Sequence, residues 1–155
     1  MYSIIRREEA FRRLTIEEIP AAVSLIWDVF CRFNASDCTD EGIEEFRNAA
    51  ESSKSDSSVI FYGAFENGEL VGALGLRLPR HISFFFVKSD RHGRGYGRNL
   101  FEAVRKEHGG DEYTVNSSLY AENYYRRLGF ETLDTEQTAN GIRFVPMKYY
   151  RNGSG

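Results

Sequence analysis

The chain is poor in residues that cross-link, chelate or anchor. It holds only two cysteines, Cys31 and Cys38, and three histidines among 155 residues. Two thiols with no histidine nearby build neither a disulfide framework nor a zinc site, so reduced, structural thiols and no metal are expected. No apolar run approaches the roughly 18 residues that a membrane helix needs. No leader-like segment opens the chain, and the expectation is a soluble, cytoplasmic protein with no membrane partner. Lysine and arginine together number 20 against 23 acids, a net charge of −3, which leaves no basic footprint for nucleic acid. Any positive charge must act locally, and it gathers at Lys88, Arg91, Arg94 and Arg98. Repeats and linkers are missing too, so one domain over 1–155 is expected. The 41% hydrophobic and 14% aromatic content is enough for a packed core at this length.

The stretch that organises the rest is 82–106. Residues 82–87 are almost wholly apolar, as in a strand buried on both faces. Residues 88–97 are a polar loop with Gly93, Gly95 and Gly97. Residues 98–106 place Leu100, Phe101 and Val104 at helical spacing. Strand, glycine loop and helix start gather unpaired backbone N–H groups at one point, with no Cβ to keep an anion away. Such a loop cradles a diphosphate. The glycines are spaced by twos, which fits neither a nucleoside-triphosphate loop nor a dinucleotide fingerprint.

The loop His92-Gly93-Arg94-Gly95-Tyr96-Gly97 resembles the acetyl-CoA loop of the GCN5-related N-acetyltransferases (GNAT). That family has Gln or Arg, two residues, Gly, one residue, and Gly or Ala; His92 takes the first position, with Arg91 and Arg94 beside it to supply charge. A second stretch, 113–130, is similar to the same family in order and spacing: Asn116 ending a strand, then Ala121, Tyr124-Tyr125, Arg126-Arg127 and Leu128-Gly129-Phe130. The resemblance covers 11–149. It implies a mixed α/β (α+β) fold with a central, mostly antiparallel sheet, a splayed parallel strand pair (82–87 and 113–116) and helices on both faces.

The resemblance also implies an acetyl-CoA-dependent N-acetyltransferase, with acetyl-CoA as co-substrate and an amine as acceptor. Backbone groups of Phe85, Phe86 and Val87 would pair with the pantetheine arm, strand-like. Residues Arg91, His92, Gly93, Arg94, Gly95, Tyr96, Gly97 and Arg98 would hold the diphosphate. Asn116 would meet the pantetheine or acceptor, and Asn123 the adenosine end. Tyr125 takes the family position of the phenol that protonates the departing thiolate, a role its pKa near 10 allows; the alternative is packing beneath the coenzyme. Tyr124 is expected in the core. His81, at the head of the central strand, is a candidate base because an imidazole near 6.5 suits an ammonium proton; an ordered water is the alternative. Asp37, Asp40 and Glu41 either attract a cationic acceptor or are solvated surface. His108 is read as structural at a helix C-terminus. Two further readings stay open: a non-catalytic acyl-CoA sensor on the same fold, and transfer of a longer acyl chain. A homodimer is possible.

Elsewhere the pattern predicts a strand at 11–14, then a capping box Thr15/Glu18 opening a helix with Ile16, Ile19, Val23, Ile26, Trp27 and Phe30 inward. Residues 1–8 either fray or join the first strand. A loop at 34–40, a helix at 39–50 and an exposed serine-rich segment at 51–58 follow. Strands at 59–65 and 70–78 are joined by Asn67-Gly68. The chain ends with strands at 131–135 and 142–149 around Asn140-Gly141, with Pro146 marking a bulge or an edge. The order is β-α-α-β-β-β-α-β-α-β-β.

Overall fold

The computed structural model describes residues 10–151; the expectation for 1–8 and the glycine tail at 153–155 lie outside the described residues. The strands are β1 (Phe11–Arg13), β2 (Val59–Glu66), β3 (Glu69–Arg77), β4 (His81–Val87), β5 (Glu112–Ser117), β6 (Phe130–Thr132), β7 (Gln137–Ala139) and β8 (Ile142–Tyr150). The helices are α1 (Ile19–Phe33), α2 (Asp40–Ser53), α3 (Tyr96–His108) and α4 (Glu122–Leu128). The sheet runs β1-β2-β3-β4-β5-β8-β6 with β7 paired to β8. Every pairing is antiparallel except β4 with β5.

The sheet separates two cores. On one face, α1 and α2 cover Phe61, Ala73 and Phe84 with Ala22, Val23, Ile26, Val29 and Ala50. On the other, α3 and α4 bring Leu100, Phe101, Val104, Tyr125 and Leu128 onto Tyr62, Leu74, Leu76, Ile82, Val115 and Met147. Fully burying one such aliphatic or aromatic side chain stabilises the fold by about 1.5–3 kcal/mol. Ile82 and Phe84 fall in different cores although they are two apart. The reason is a bulge. Leu76 faces Ile82 but Gly75 faces Phe84, leaving Ser83 as the extra residue, so side-chain parity flips there. Beyond it, Phe84 and Phe86 face α1 and α2 while Phe85 faces α3 and α4, the alternation expected for 84–87.

Four local expectations change. β7 is an extra strand: its residues are exposed and polar, and pairing comes from the Asn140-Gly141 turn, both at positive φ (51° and 80°). Helix α2 runs on to Ser53, and Ser53 is buried, its hydroxyl donating to the Ala50 carbonyl at 2.6 Å, so 51–58 is not wholly exposed. Pro146 marks neither a bulge nor an edge, since β8 keeps register with β5 straight through it. Its carbonyl accepts from the Leu133 amide, so its nitrogen also faces that side, past the last residue of β6, and the proline interrupts no bond to β5. At the start of α1 the capping box forms on a short 3-10 turn, Ile16–Glu18, and Ile16, expected inward, is exposed. The Glu18 carboxylate accepts from the Thr15 amide at 2.9 Å, while the Thr15 hydroxyl donates to that carboxylate at 3.2 Å.

Candidate active site

β4 and β5 pair only at His81–Thr114 and Ile82–Val115. Past the bulge at Ser83 the two strands part, and a cleft of about 1010 Å³ opens between them. The alternation of a strand decides which backbone groups face it. The Lys88 amide donates to the Val71 carbonyl of β3 at 2.8 Å. With period two, Phe86 and Phe84 also spend their N–H and C=O groups on β3, and those of Phe85 and Val87 point into the gap. Of the three residues expected to offer backbone pairing, Phe85 and Val87 are so placed and Phe86 is not. His92 sits over this edge, its Nε2 donating to the Val87 carbonyl at 2.8 Å.

The loop after β4 leads to the N-terminus of α3, which opens onto the same cleft. Gly93 and Gly95 have φ of 79° and 84°, a region that costs other L-residues about 1–2 kcal/mol. A Cβ at Gly93 would meet nothing within 4 Å, so a ligand can approach there. Gly97 differs: a Cβ there would collide with the Tyr124 hydroxyl and lie 3.0 Å from its Cζ. The space expected for an anion beside Gly97 is filled by a phenol.

The cations redistribute as well. Arg91 is held by Glu66 and Asp90, both at 2.6 Å, and Arg94 by Glu66 at 3.5 Å. Glu66 in turn accepts from the Tyr96 hydroxyl, and that bond together with Arg91 lowers its pKa. This network braces the loop and leaves neither arginine unpaired. Arg94 is not in the cleft wall, whereas Arg91, His92, Gly93, Gly95, Tyr96, Gly97, Arg98, Asn116 and Asn123 are. The cleft cations with no carboxylate in salt-bridge reach, among the described residues, are Arg98 and Arg127. Arg98 donates to the Arg127 carbonyl at 3.0 Å, and the Arg127 guanidinium lies 5.9 Å from the Tyr124 ring centre.

Helix α4 ends at Gly129, whose φ of 109° makes a left-handed cap. Its two tyrosines divide differently from the sequence reading. Tyr125 is 5% exposed, packed on Phe85, Tyr124 and Phe130, and does not line the cleft. Burial pushes its pKa far up. Tyr124, expected in the core, reaches the cleft wall, and burial raises its pKa to about 12.

At the far end of the cleft His81 hydrogen-bonds Thr114 Oγ1 through Nδ1 at 2.8 Å. Burial, and secondarily Arg77, lowers its pKa below the ordinary imidazole value, so it is neutral at pH 7. Asn116 leaves β5 on the same face as Thr114 and opens onto the cleft. The wall opposite is aromatic: Phe30 and Phe46 stack at 3.8 Å, and Phe46 meets Phe84 and Phe86 edge-on. Its rim joins distant parts of the chain. Cys38 bridges Ile142, the Thr39 amide donates to the Gly141 carbonyl, and a Cβ on Gly42 would strike Gly141. Asp37 lies on this wall with Glu45; Asp40 and Glu41 are exposed and outside it. His108 donates to the Pro79 carbonyl at 2.5 Å, a structural contact. Sequence reading missed Tyr124, Arg127 and the Gly42–Gly141 contact. The first two stood inside the second motif as plain sequence; the third has no local signal.

Among the described residues no group of His, Cys, Asp and Glu is placed to hold a metal ion, and no helix is long and apolar enough to cross a membrane.

The family model described as "Acetyltransferase (GNAT) domain" matches residues 34–151, well over half of the chain. Among solved structures the fold is similar to a GCN5-related N-acetyltransferase from Rhodopseudomonas palustris, with 23% identity, TM-score 0.76, and 91% of this chain and 94% of that one covered. It is similar to the PaiA N-acetyltransferase from Thermoplasma acidophilum in complex with coenzyme A (21%, TM-score 0.66, 90% and 97% covered). It is similar to Tetrahymena GCN5 as well (13%, TM-score 0.69, 92% and 96%). No match was found among curated proteins. The family match takes in both walls of the strand gap and the glycine loop that opens onto it, and the chain belongs to the GNAT acetyltransferase family.

Proposed function

We propose that the protein transfers acetyl from acetyl-CoA to a primary amine by direct attack in a ternary complex. The observation that carries this reading is the unpaired edge of β4. Phe85 offers its amide and carbonyl, and Val87 its amide (the Val87 carbonyl already accepts from His92), to an extended, amide-bearing arm, and the edge leads directly to the positive-φ glycines and amides of α3. An anion at that helix start is favoured by the dipole and by Arg98 and Arg127. The residues present therefore fit a coenzyme made of a diphosphate and a pantetheine arm.

The thioester supplies an activated acetyl group. The chain's residues do the rest. His81, neutral and anchored by Thr114, takes a proton from the acceptor ammonium, directly or through a water, provided Nδ1 carries the hydrogen toward Thr114 and Nε2 is left bare. Amides of Phe85 or Val87 polarise the acyl oxygen. The amine nitrogen bonds the acyl carbon as the carbon–sulfur bond breaks, the thiolate takes a proton from Tyr125, and the second proton that the nitrogen sheds on becoming an amide passes through water to restore the Tyr125 phenol. Burial keeps that phenol protonated, and its ring rests on Phe85 beside the gap.

Calorimetric titration with acetyl-CoA tests the coenzyme half; no heat at about 0.1 mM, an affinity weaker than roughly −5.5 kcal/mol, would refute it. For the acid, Tyr125→Phe should lower turnover far more than coenzyme affinity, and unchanged turnover removes the role. One observation favours a second reading, a sensor that binds acyl-CoA without turning it over: Tyr125 does not reach the cleft surface. Free-thiol release across a panel of amines separates the two, because a sensor releases none. Running acetyl-, propionyl- and succinyl-CoA in that assay tests a longer acyl chain against the aromatic wall.

A further inference from the structure

We propose that the Tyr124 hydroxyl is a hydrogen-bond donor to the coenzyme's diphosphate at the N-terminus of α3, and that position 97 is glycine in order to admit it. The inference rests on the acetyl-CoA reading above. Gly93 and Gly95 are explained by their positive φ. Gly97 is not: it lies inside α3 with no left-handed backbone, where glycine costs about 0.5–1 kcal/mol against alanine. What a side chain at 97 would meet is Tyr124, first its hydroxyl and then Cζ at 3.0 Å, with Phe85 Cζ next at 3.6 Å. A phenylalanine at 124 would fill the same ring space. The hydroxyl is the atom that a Cβ at 97 would overlap outright, whereas the ring carbon would have to give by only a few tenths of an ångström.

That hydroxyl is held in place yet has no hydrogen-bond partner among the described residues. Phe85 packs edge-on to its ring at 6.0 Å and Tyr125 at 6.1 Å, while Arg127 lies over it. Both Tyr124 and Gly97 line the cleft, beside Arg98. The phenol's pKa of about 12 keeps it a donor throughout the working range of pH. A neutral donor aimed at an anion adds a directional bond to the backbone amides of the helix start and to the charges of Arg98 and Arg127.

The test compares two ligands by titration: coenzyme A, which carries the diphosphate, and pantetheine, which does not. Tyr124→Phe should weaken coenzyme A by about tenfold and leave pantetheine within about twofold. Gly97→Ala should weaken coenzyme A similarly by displacing the phenol. Gly97→Ala with Tyr124→Phe should be no weaker than either single change, since the bond is already lost. Thermal melts of all variants show that each is folded. Unchanged coenzyme A affinity in Tyr124→Phe, or an equal loss for pantetheine, overturns the inference alone. A fall in turnover with affinity intact would assign the hydroxyl to the leaving sulfur and also overturns it. A wild-type protein that binds neither ligand overturns the coenzyme reading and this inference with it.

Discussion

The two ends of the cleft are built by different means. At the α3 end the geometry is backbone geometry: a bulge that releases β4 from β5, two glycines at positive φ, and a helix start. Side chains there mostly brace one another, as Arg91, Arg94, Tyr96 and Glu66 do. At the His81 end nearly everything is side chain. His81 leans on Thr114 of another strand, Phe46 of α2 packs on Phe30 of α1, and the rim is a contact between Gly42 and Gly141, some hundred residues apart in sequence. On the proposed reading, the end made by backbone is the one that would hold the coenzyme. On the same reading, the end made by dispersed side chains is where acceptors would be told apart.

The contrast predicts where side-chain deletion hurts most. His81→Ala should lower kcat by about a hundredfold, the low end for a positioned base, with coenzyme affinity unchanged. The pH profile sharpens this. Because burial lowers the His81 pKa, the imidazole becomes protonated only below its ordinary value of 6.5, so the acid limb of kcat/KM should fall below that value. Thr114→Val, which removes the partner of Nδ1, should shift that limb while His81→Ala abolishes it. An acid limb that survives in His81→Ala would assign the base to water or to another group.

At the other end the glycine loop's backbone geometry matters more than the loop's own bracing side chains. Gly95→Val forces a β-branched residue into φ of 84° and should weaken coenzyme A by about tenfold or more through loop rearrangement. His92→Ala, which deletes a hydrogen bond to the Val87 carbonyl and a packing contact with Phe33, should cost about threefold or less. Titration of both variants decides. If His92→Ala proved the more damaging, the loop would be a side-chain site after all, and the contrast between the ends would fail.

The same division explains what could be read in advance. The backbone end was legible because glycines spaced by twos between an apolar strand and a helical face leave few conformations open. The strand expected at 82–87 is β4, and the positive φ values fall on Gly93 and Gly95. The division between Tyr124 and Tyr125 was not legible. Successive residues on a helix point about 100° apart, and the rotation of the seven-residue α4 is set by Leu128, Phe130 and the α3 face it packs on. β7 was missed because its pattern is polar and its pairing is set by a turn, and Ser53 because serines in sequence carry no mark of burial. Arg91 looked like a phosphate ligand until Glu66, from another strand, proved to hold it.

A control away from both ends gives the smallest effect. Glu18, bonded by Arg12 at 2.7 Å and by the Thr15 amide, has its carboxyl pKa lowered to about 2, chiefly by Arg12. A carboxyl depressed on folding adds stability that is complete above its unfolded value, near 4.5, and is lost as pH falls toward the folded one. The Arg12 and Glu18 side chains are 39% and 29% exposed, so screening limits the pair. Glu18→Gln should therefore cost only about 0.5–1 kcal/mol at pH 7, and the difference from wild type should vanish below about pH 2. Urea melts at several pH values measure it, with kcat and coenzyme affinity unchanged. A matching loss of activity would mean that the α1 start is mechanically tied to the aromatic wall that ends in Phe30, and the acceptor end would then extend well beyond the cleft.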